Sequence, residues 1–158
     1  MKKGFFLVAF MILFSIGGIV GYAQEARLSS IQLDAGYISF HDMRSGGAAL
    51  HFAHRFQSHQ SLTIEVQITY SGADKGYFTV EGGIRYYFKG AGDRLKPFLG
   101  VTSGIISEGS GWSGIVLHVS FGVDIILNEK WFIPITASAG IHAASGPHSL
   151  SAGIGARF

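Results

Sequence analysis

Histidine and serine are the side chains of this sequence that could most readily do metal or acyl-transfer chemistry. The chain has seven histidines and no cysteine. A metal site needs several ligands that converge on one point. His51 and His54 are three residues apart in a segment that alternates like a β-strand, so they would point to opposite faces of that strand. We therefore predict no metal site and no cofactor, and the lack of cysteine excludes a thiolate site.

The segment that contains His142 and Ser145 allows a second kind of chemistry. A hydrolase needs a serine within hydrogen-bond reach of a base that a third group orients. No acidic residue is adjacent to this pair, and Glu108 on another predicted loop is the candidate third group. We favour the interpretation that these are loop residues and predict no catalytic residue. A lipid A deacylase or esterase at the rim of a barrel stays as an alternative.

The elements that would position these residues are eight strand-like segments. Leu62, Ile64 and Val66 alternate with Thr63 and Glu65, which is the period of a strand with one apolar and one polar face. Turns rich in Gly, Asp, Asn and Ser separate the segments, as hairpin connections require. The predicted strands are Ser30–Phe40, Ala48–Phe56, Leu62–Tyr70, Tyr77–Phe88, Pro97–Ile106, Ile115–Leu127, Phe132–His142 and Ser149–Phe158.

The N-terminal segment predicts export. Lys2 and Lys3 precede the apolar residues 5–20, and Gly21-Tyr22-Ala23 has the small residues of a cleavage site. We predict a signal peptide at residues 1–23 and one mature domain at residues 24–158. Without Lys2 and Lys3 the mature chain has ten basic and ten acidic residues. This balance leaves no basic surface to attract nucleic acid.

Alternation alone does not say which face of the strands is outside. A lipocalin-like barrel is apolar inside, whereas an outer-membrane barrel is apolar outside. The mature lysines avoid the centres of the polar faces, where a solvated sheet normally carries them. They are Lys75, Lys89, Lys96 and Lys130, all in turns or at strand edges. This distribution favours a polar interior and a lipid-facing exterior, and a soluble exported carrier of apolar ligands stays as an alternative.

The charges and aromatic rings of the strands point the same way. Charges removed from water must be paired, and the mid-strand acids and bases nearly balance. We predict that they form a polar network in the lumen, made of Asp34, His51, Arg55, Glu65, Glu81, Arg85, His118, Asp124 and Arg157. Aromatic residues gather near the strand ends, as at the lipid headgroup level. They are Tyr37, Phe40, Tyr70, Tyr77, Tyr86, Tyr87, Phe88, Trp131 and Phe132.

The whole mature chain resembles the small eight-stranded outer-membrane β-barrels of Gram-negative bacteria, such as the OmpA membrane domain and OmpX-like proteins. The resemblance rests on the strand pattern, on Tyr86-Tyr87-Phe88, on residues 96–100 and on the final Gly155-Ala156-Arg157-Phe158. It implies an all-β fold, an eight-stranded antiparallel up-and-down transmembrane β-barrel in the outer membrane. It also implies a monomer whose partners are outer-membrane lipid, lipopolysaccharide and the assembly machinery, with Phe158 in the assembly signal.

The connections suggest the role of such a barrel. In the family both termini face the periplasm, which would put the longest connection, Lys89–Lys96, on the periplasmic side and leave short external loops. Short loops disfavour an adhesin or a phage receptor. Eight strands leave an interior that side chains can fill, so we do not expect an open diffusion channel. We predict a structural role in the cell envelope, and a gated or weak porin-like passage of small solutes stays open.

Overall fold

The computed structural model describes residues 29–40, 43–56, 59–72, 77–88, 94–108, 111–141 and 148–158. The predicted signal peptide, His41, His142 and Ser145 lie outside these residues. The strands are β1 Ser29–Phe40, β2 Met43–Phe56, β3 His59–Ser71, β4 Tyr77–Tyr87, β5 Leu95–Glu108, β6 Gly111–Ile126, β7 Trp131–Ile141 and β8 His148–Arg157.

The eight strands form a closed antiparallel barrel in which each strand pairs with its neighbours in sequence. The closing pair joins β8 to β1, from Ser30 opposite Arg157 to Ser39 opposite His148. The backbones of Ser29 and Phe158 then bond to each other in both directions, at 3.2 and 2.9 Å. The predicted fold class, an eight-stranded antiparallel up-and-down β-barrel, is confirmed.

The two ends of the barrel differ. At one end, called the terminal end, β1 begins and β8 ends, and the connection between Tyr87 and Leu95 lies at the same end. At the opposite, distal end the strands run further than the sequence predicted, because Phe40 pairs with Met43 and Glu108 with Gly111. The predicted loops at 42–47 and 108–113 are therefore mostly strand.

One irregularity marks the distal end. The β5–β6 register shifts between Ile106 and Ser107, and Gly114 opposite Ile106 has a φ of 149°. A bulge with a positive φ suits glycine, which has no Cβ to clash.

Side chains divide sharply between the two faces of the wall. Leu33, Phe121 and Leu150 point outward and are 56, 65 and 60% exposed, whereas the inward Asp34 and Glu81 are each 1% exposed. Water-soluble barrels have the reverse arrangement. The alternative of a soluble lipocalin-like carrier is thus wrong, because it requires a polar exterior.

The strands are long enough to cross a bilayer. An 11-residue strand such as β4 is roughly 36 Å long, and at a tilt of about 45° it rises roughly 26 Å, close to the apolar band of outer-membrane barrels. Within the described ranges, no helix has the length and apolar character needed to span a membrane.

Candidate functional site

The barrel interior is the candidate site, because it collects the charged residues of the strands. All nine residues of the predicted polar network lie on inward positions of their strands. Seven of them are buried and two, Arg55 and Arg157, are half-buried at the terminal end. The alternation that separates Thr63 and Glu65 from Leu62 and Ile64 places the polar set inside.

An ion pair between Arg85 on β4 and Glu65 on β3 lies at the centre of the interior. Arg85 Nη2 is 2.7 Å from Glu65 Oε2, and both side chains are almost fully buried. Glu65 Oε2 has no aligned hydrogen bond to any residue that the structure describes, so the attraction is mainly Coulombic. The Arg85 guanidinium also lies 4.1 Å from the ring centroid of Phe98. The arginine therefore closes the lumen together with an aromatic ring.

A second group of side chains extends from Arg85 towards β1 and β2. Arg85 Nη1 lies 3.5 Å from Gln32 Oε1, and Gln32 Nε2 donates to Asp34 Oδ2 at 2.7 Å. His51 Nε2 lies 3.2 Å from the same Asp34 oxygen. The other Asp34 oxygen and His51 Nδ1 have no hydrogen-bond partner among the described residues. Asp34 and His51 both line the chamber described below.

Glu81 on β4 is the most thoroughly bonded carboxylate of the interior. Thr79 and Thr102 each donate a hydroxyl at 2.7 Å, one to each oxygen. His118 Nδ1 lies 2.6 Å from Oε2, and Gln67 Nε2 lies 3.4 Å from Oε1. Threonine and glutamine thus complete the network predicted from the charged residues alone.

Two aromatic residues that were predicted to lie at the lipid headgroup level, Tyr87 and Phe132, lie inside the barrel instead. Tyr87 points inward, is nearly buried, and donates its hydroxyl to Asp124 Oδ2 at 2.8 Å. Phe132 is also inside and 2% exposed, under the guanidinium of Arg157. Both were predicted for the lipid interface, because their position near strand ends was weighed more than their parity. Tyr87 follows the inward Arg85 by two residues, which is the signal that could have found it.

An apolar cluster closes the interior at the distal end. Ile38, Ile106 and Val116 contact one another and are at most 8% exposed. We call these three residues the apolar plug. β1 and β5 are four places apart in the closed order of eight strands, so Ile38 and Ile106 meet from opposite walls. The plug was not predicted, although Ile38 has the same parity along β1 as the inward Asp34.

Between the apolar plug and the Arg85 ion pair lies a chamber of about 50 Å³. Its polar lining includes Asp34 and His51, and on β6, β7 and β8 it is mostly hydroxyl, from Ser120, Thr136, Ser138, Ser149 and Ser151. A volume of this size holds roughly three or four water molecules and no larger solute. The interior is therefore filled rather than open.

The residues considered for metal or hydrolase chemistry do not come together within the described part of the chain. No group of three or more His, Asp or Glu that could hold a metal occurs there. His51 points inward, while His54 is outward and 3.0 Å from Ser29 Oγ. His142 and Ser145 lie outside the described residues, so the hydrolase arrangement stays an untested alternative.

Known structures share the fold. Neisserial surface protein A matches with a TM-score of 0.71 and 17% identity over 82% of this chain and 97% of that one. The N-terminal β-barrel domain of Pseudomonas aeruginosa OprF matches at 0.62 and 14%, over 82 and 97%. The outer membrane enzyme PagL matches at 0.57 and 16%, over 80 and 97%. No protein-family model and no curated relative matches the sequence.

These matches bear on fold more than on activity. The chain has the fold of small transmembrane β-barrels, and its predicted resemblance to that class is confirmed. PagL, and OprG from Pseudomonas aeruginosa, are outer-membrane proteins of this fold, in agreement with the predicted outer-membrane localisation. The same architecture carries both non-enzymatic barrels and PagL, so the fold does not assign a reaction.

Proposed function

We propose that this chain is an integral outer-membrane protein with a structural role in the envelope and a sealed lumen. The observation that carries the proposal is the set of buried side chains that occupy the interior at two levels. The apolar plug closes the distal end, and the buried Arg85–Glu65 pair beside Phe98 closes the middle. Such a barrel adds a rigid, lipid-solvated element to the membrane and carries no solute flux.

The outer surface of the barrel indicates which molecules the protein would contact in the membrane. Outward leucine, isoleucine and phenylalanine side chains form a surface that acyl chains of lipid and lipopolysaccharide can solvate. Every strand of the barrel has two neighbours, so no open sheet edge invites a second copy, and the chain would act as a monomer. Phe158 at the end of β8 would present the assembly signal.

Thiol labelling tests the sealed lumen, because the chain has no native cysteine. Ser151→Cys places a thiol in the chamber, and Asn128→Cys places one in the exposed connection after β6. In vesicles, we expect a water-soluble methanethiosulfonate to modify the Asn128→Cys variant rapidly and the Ser151→Cys variant far more slowly. Adding Ile38→Ala and Ile106→Ala to the Ser151→Cys variant should expose the chamber to water and speed the labelling of the thiol at position 151.

Three results would contradict the proposal. One is fast labelling of the Ser151→Cys variant behind an intact plug. Another is a steady open-channel conductance of the wild-type protein in planar bilayers. The third is turnover of lipid A or an ester substrate that Ser145→Ala abolishes, since this outcome would establish the alternative hydrolase instead.

A further inference from the structure

The terminal end of the lumen has an unusual surplus of positive charge. A small cavity of about 20 Å³ opens there, and we call it the terminal mouth. Its lining comes from β1, β2, β3, β4, β6, β7 and β8, so the site is built by most of the barrel rather than by one loop. The lining residues are Ser29, Ser30, Arg55, Thr63, Tyr87, Asp124, Phe132 and Arg157.

Arg55 and Arg157 outnumber the acids of the terminal mouth. Asp124 is the one carboxylate in its lining, and Tyr87 already occupies Oδ2 of that side chain. Asp124 Oδ1 has no hydrogen-bond partner, and within the described ranges neither arginine lies within 4 Å of a carboxylate oxygen. The mouth therefore carries a net formal charge of one positive unit. A partly desolvated charge without a counterion is costly.

Aromatic rings hold both guanidinium groups in place. Arg55 lies 5.1 Å from the ring centroid of Tyr87, and Arg157 lies 5.1 Å from that of Phe132. Stacking on a ring leaves the N–H groups at the guanidinium edge available. Two donors of the mouth are buried and have no hydrogen-bond partner in the part of the chain that the structure describes, the Nε of Arg55 and the hydroxyl of Thr63. The side chain of Thr63 is 4% exposed, so it has little access to bulk water.

We propose that the terminal mouth binds one small inorganic anion, of the size of chloride, between Arg55 and Arg157, with Thr63 as a hydroxyl donor. One monovalent anion neutralises the surplus charge of the mouth. A cavity of about 20 Å³ accepts a particle close to the size of a single water molecule and excludes bulky organic anions. This site is independent of the structural role proposed above, since an empty mouth would leave the lumen sealed.

Solution NMR of the mature protein, folded in detergent micelles, tests the site. The Nε–H signals of the arginines are followed while sodium chloride replaces sodium gluconate at constant ionic strength. We expect the Arg55 and Arg157 signals to shift along a saturating curve, because gluconate is too large to compete. Arg94 is the matched control, since it is exposed at the same end and does not line the terminal mouth, and its signal should not saturate.

Two substitutions should change the affinity for chloride in opposite directions. Thr63→Val removes a donor of similar volume and should weaken chloride binding by about tenfold or more. Asp124→Asn removes the competing negative charge and should tighten it. Shifts that stay linear with chloride, or that are the same for Arg94, would overturn the proposal. If a variant does not fold, the wild-type comparison of chloride with gluconate still decides the matter.

Discussion

Replacing Arg85 with methionine should destabilise the barrel strongly, because it leaves Glu65 buried without a counterion. Removal of one partner from a buried ion pair costs about 3–5 kcal/mol. The 2.7 Å contact lacks an aligned hydrogen bond, and the contacts of Arg85 to Gln32 and Tyr87 are both 3.5 Å long. The expected loss is therefore near the lower limit, about 3 kcal/mol. Methionine keeps an apolar contact with Phe98, which limits the packing loss.

The assay is urea unfolding in lipid vesicles, followed by tryptophan fluorescence. Trp131 faces outward on β7 and should report the change from lipid to water on unfolding. The variants are Arg85→Met, Glu65→Gln and the double substitution. Arg94→Met is the control for loss of a positive charge, and its free energy of unfolding should stay within about 0.5 kcal/mol of wild type.

The double variant is the decisive measurement. With neither charge left in the interior, its free energy of unfolding should lie within about 1 kcal/mol of wild type, because neutral replacement of a buried pair often costs little. A loss below about 1 kcal/mol in Arg85→Met would show that Arg85 is not paired inside. A double variant as unstable as the sum of the single variants would show that the two side chains act independently.

Two further predictions concern the wall and the end of the chain. A Cβ at Gly83 would lie 2.6 Å from the backbone Cα of Thr102, so Gly83→Ala should cost about 1–3 kcal/mol of unfolding free energy, whereas Gly82→Ala on the open outer face should cost less than about 0.5. Equal urea midpoints for the two variants would refute this steric argument. Phe158→Ala keeps the backbone bonds to Ser29, so it should lower the amount of folded protein in the outer membrane without lowering its stability in urea. If the Phe158→Ala variant instead assembles normally but unfolds at lower urea, Phe158 contributes packing and is not part of an assembly signal.

The strand pattern predicted the strands of the barrel wall well, but it predicted the side chains that fill the lumen less well. Alternation is a local property, so Glu65, Arg85 and Asp124 could be assigned to the inner face from their neighbours alone. The inward positions of Ile38, Ile106 and Val116 follow the same parity, yet they were missed because an apolar residue on a polar face looks like noise. Tyr87 and Phe132 were misplaced because nearness to a strand end was weighed more than parity.

Partners across the lumen had no signature in the sequence. Arg85 and Gln32 are 53 residues apart, and His118 and Glu81 are 37 apart, so no local pattern relates them. The length of the distal hairpins was not visible in the sequence, since Gly46, Gly47 and Gly111 are typical of turns but lie in paired strands.

By itself, the sequence determined the number of strands, the parity of each strand and the set of charges that avoids the lipid, because each depends on residues close together along the chain. Only closure of the barrel decided that Ile38 meets Ile106 across the lumen, that Glu65 neutralises Arg85, and that Arg55 and Arg157 share one mouth with Asp124. These contacts join strands that are distant in sequence. Their distances depend on the register and curvature of the whole wall, which no single segment contains.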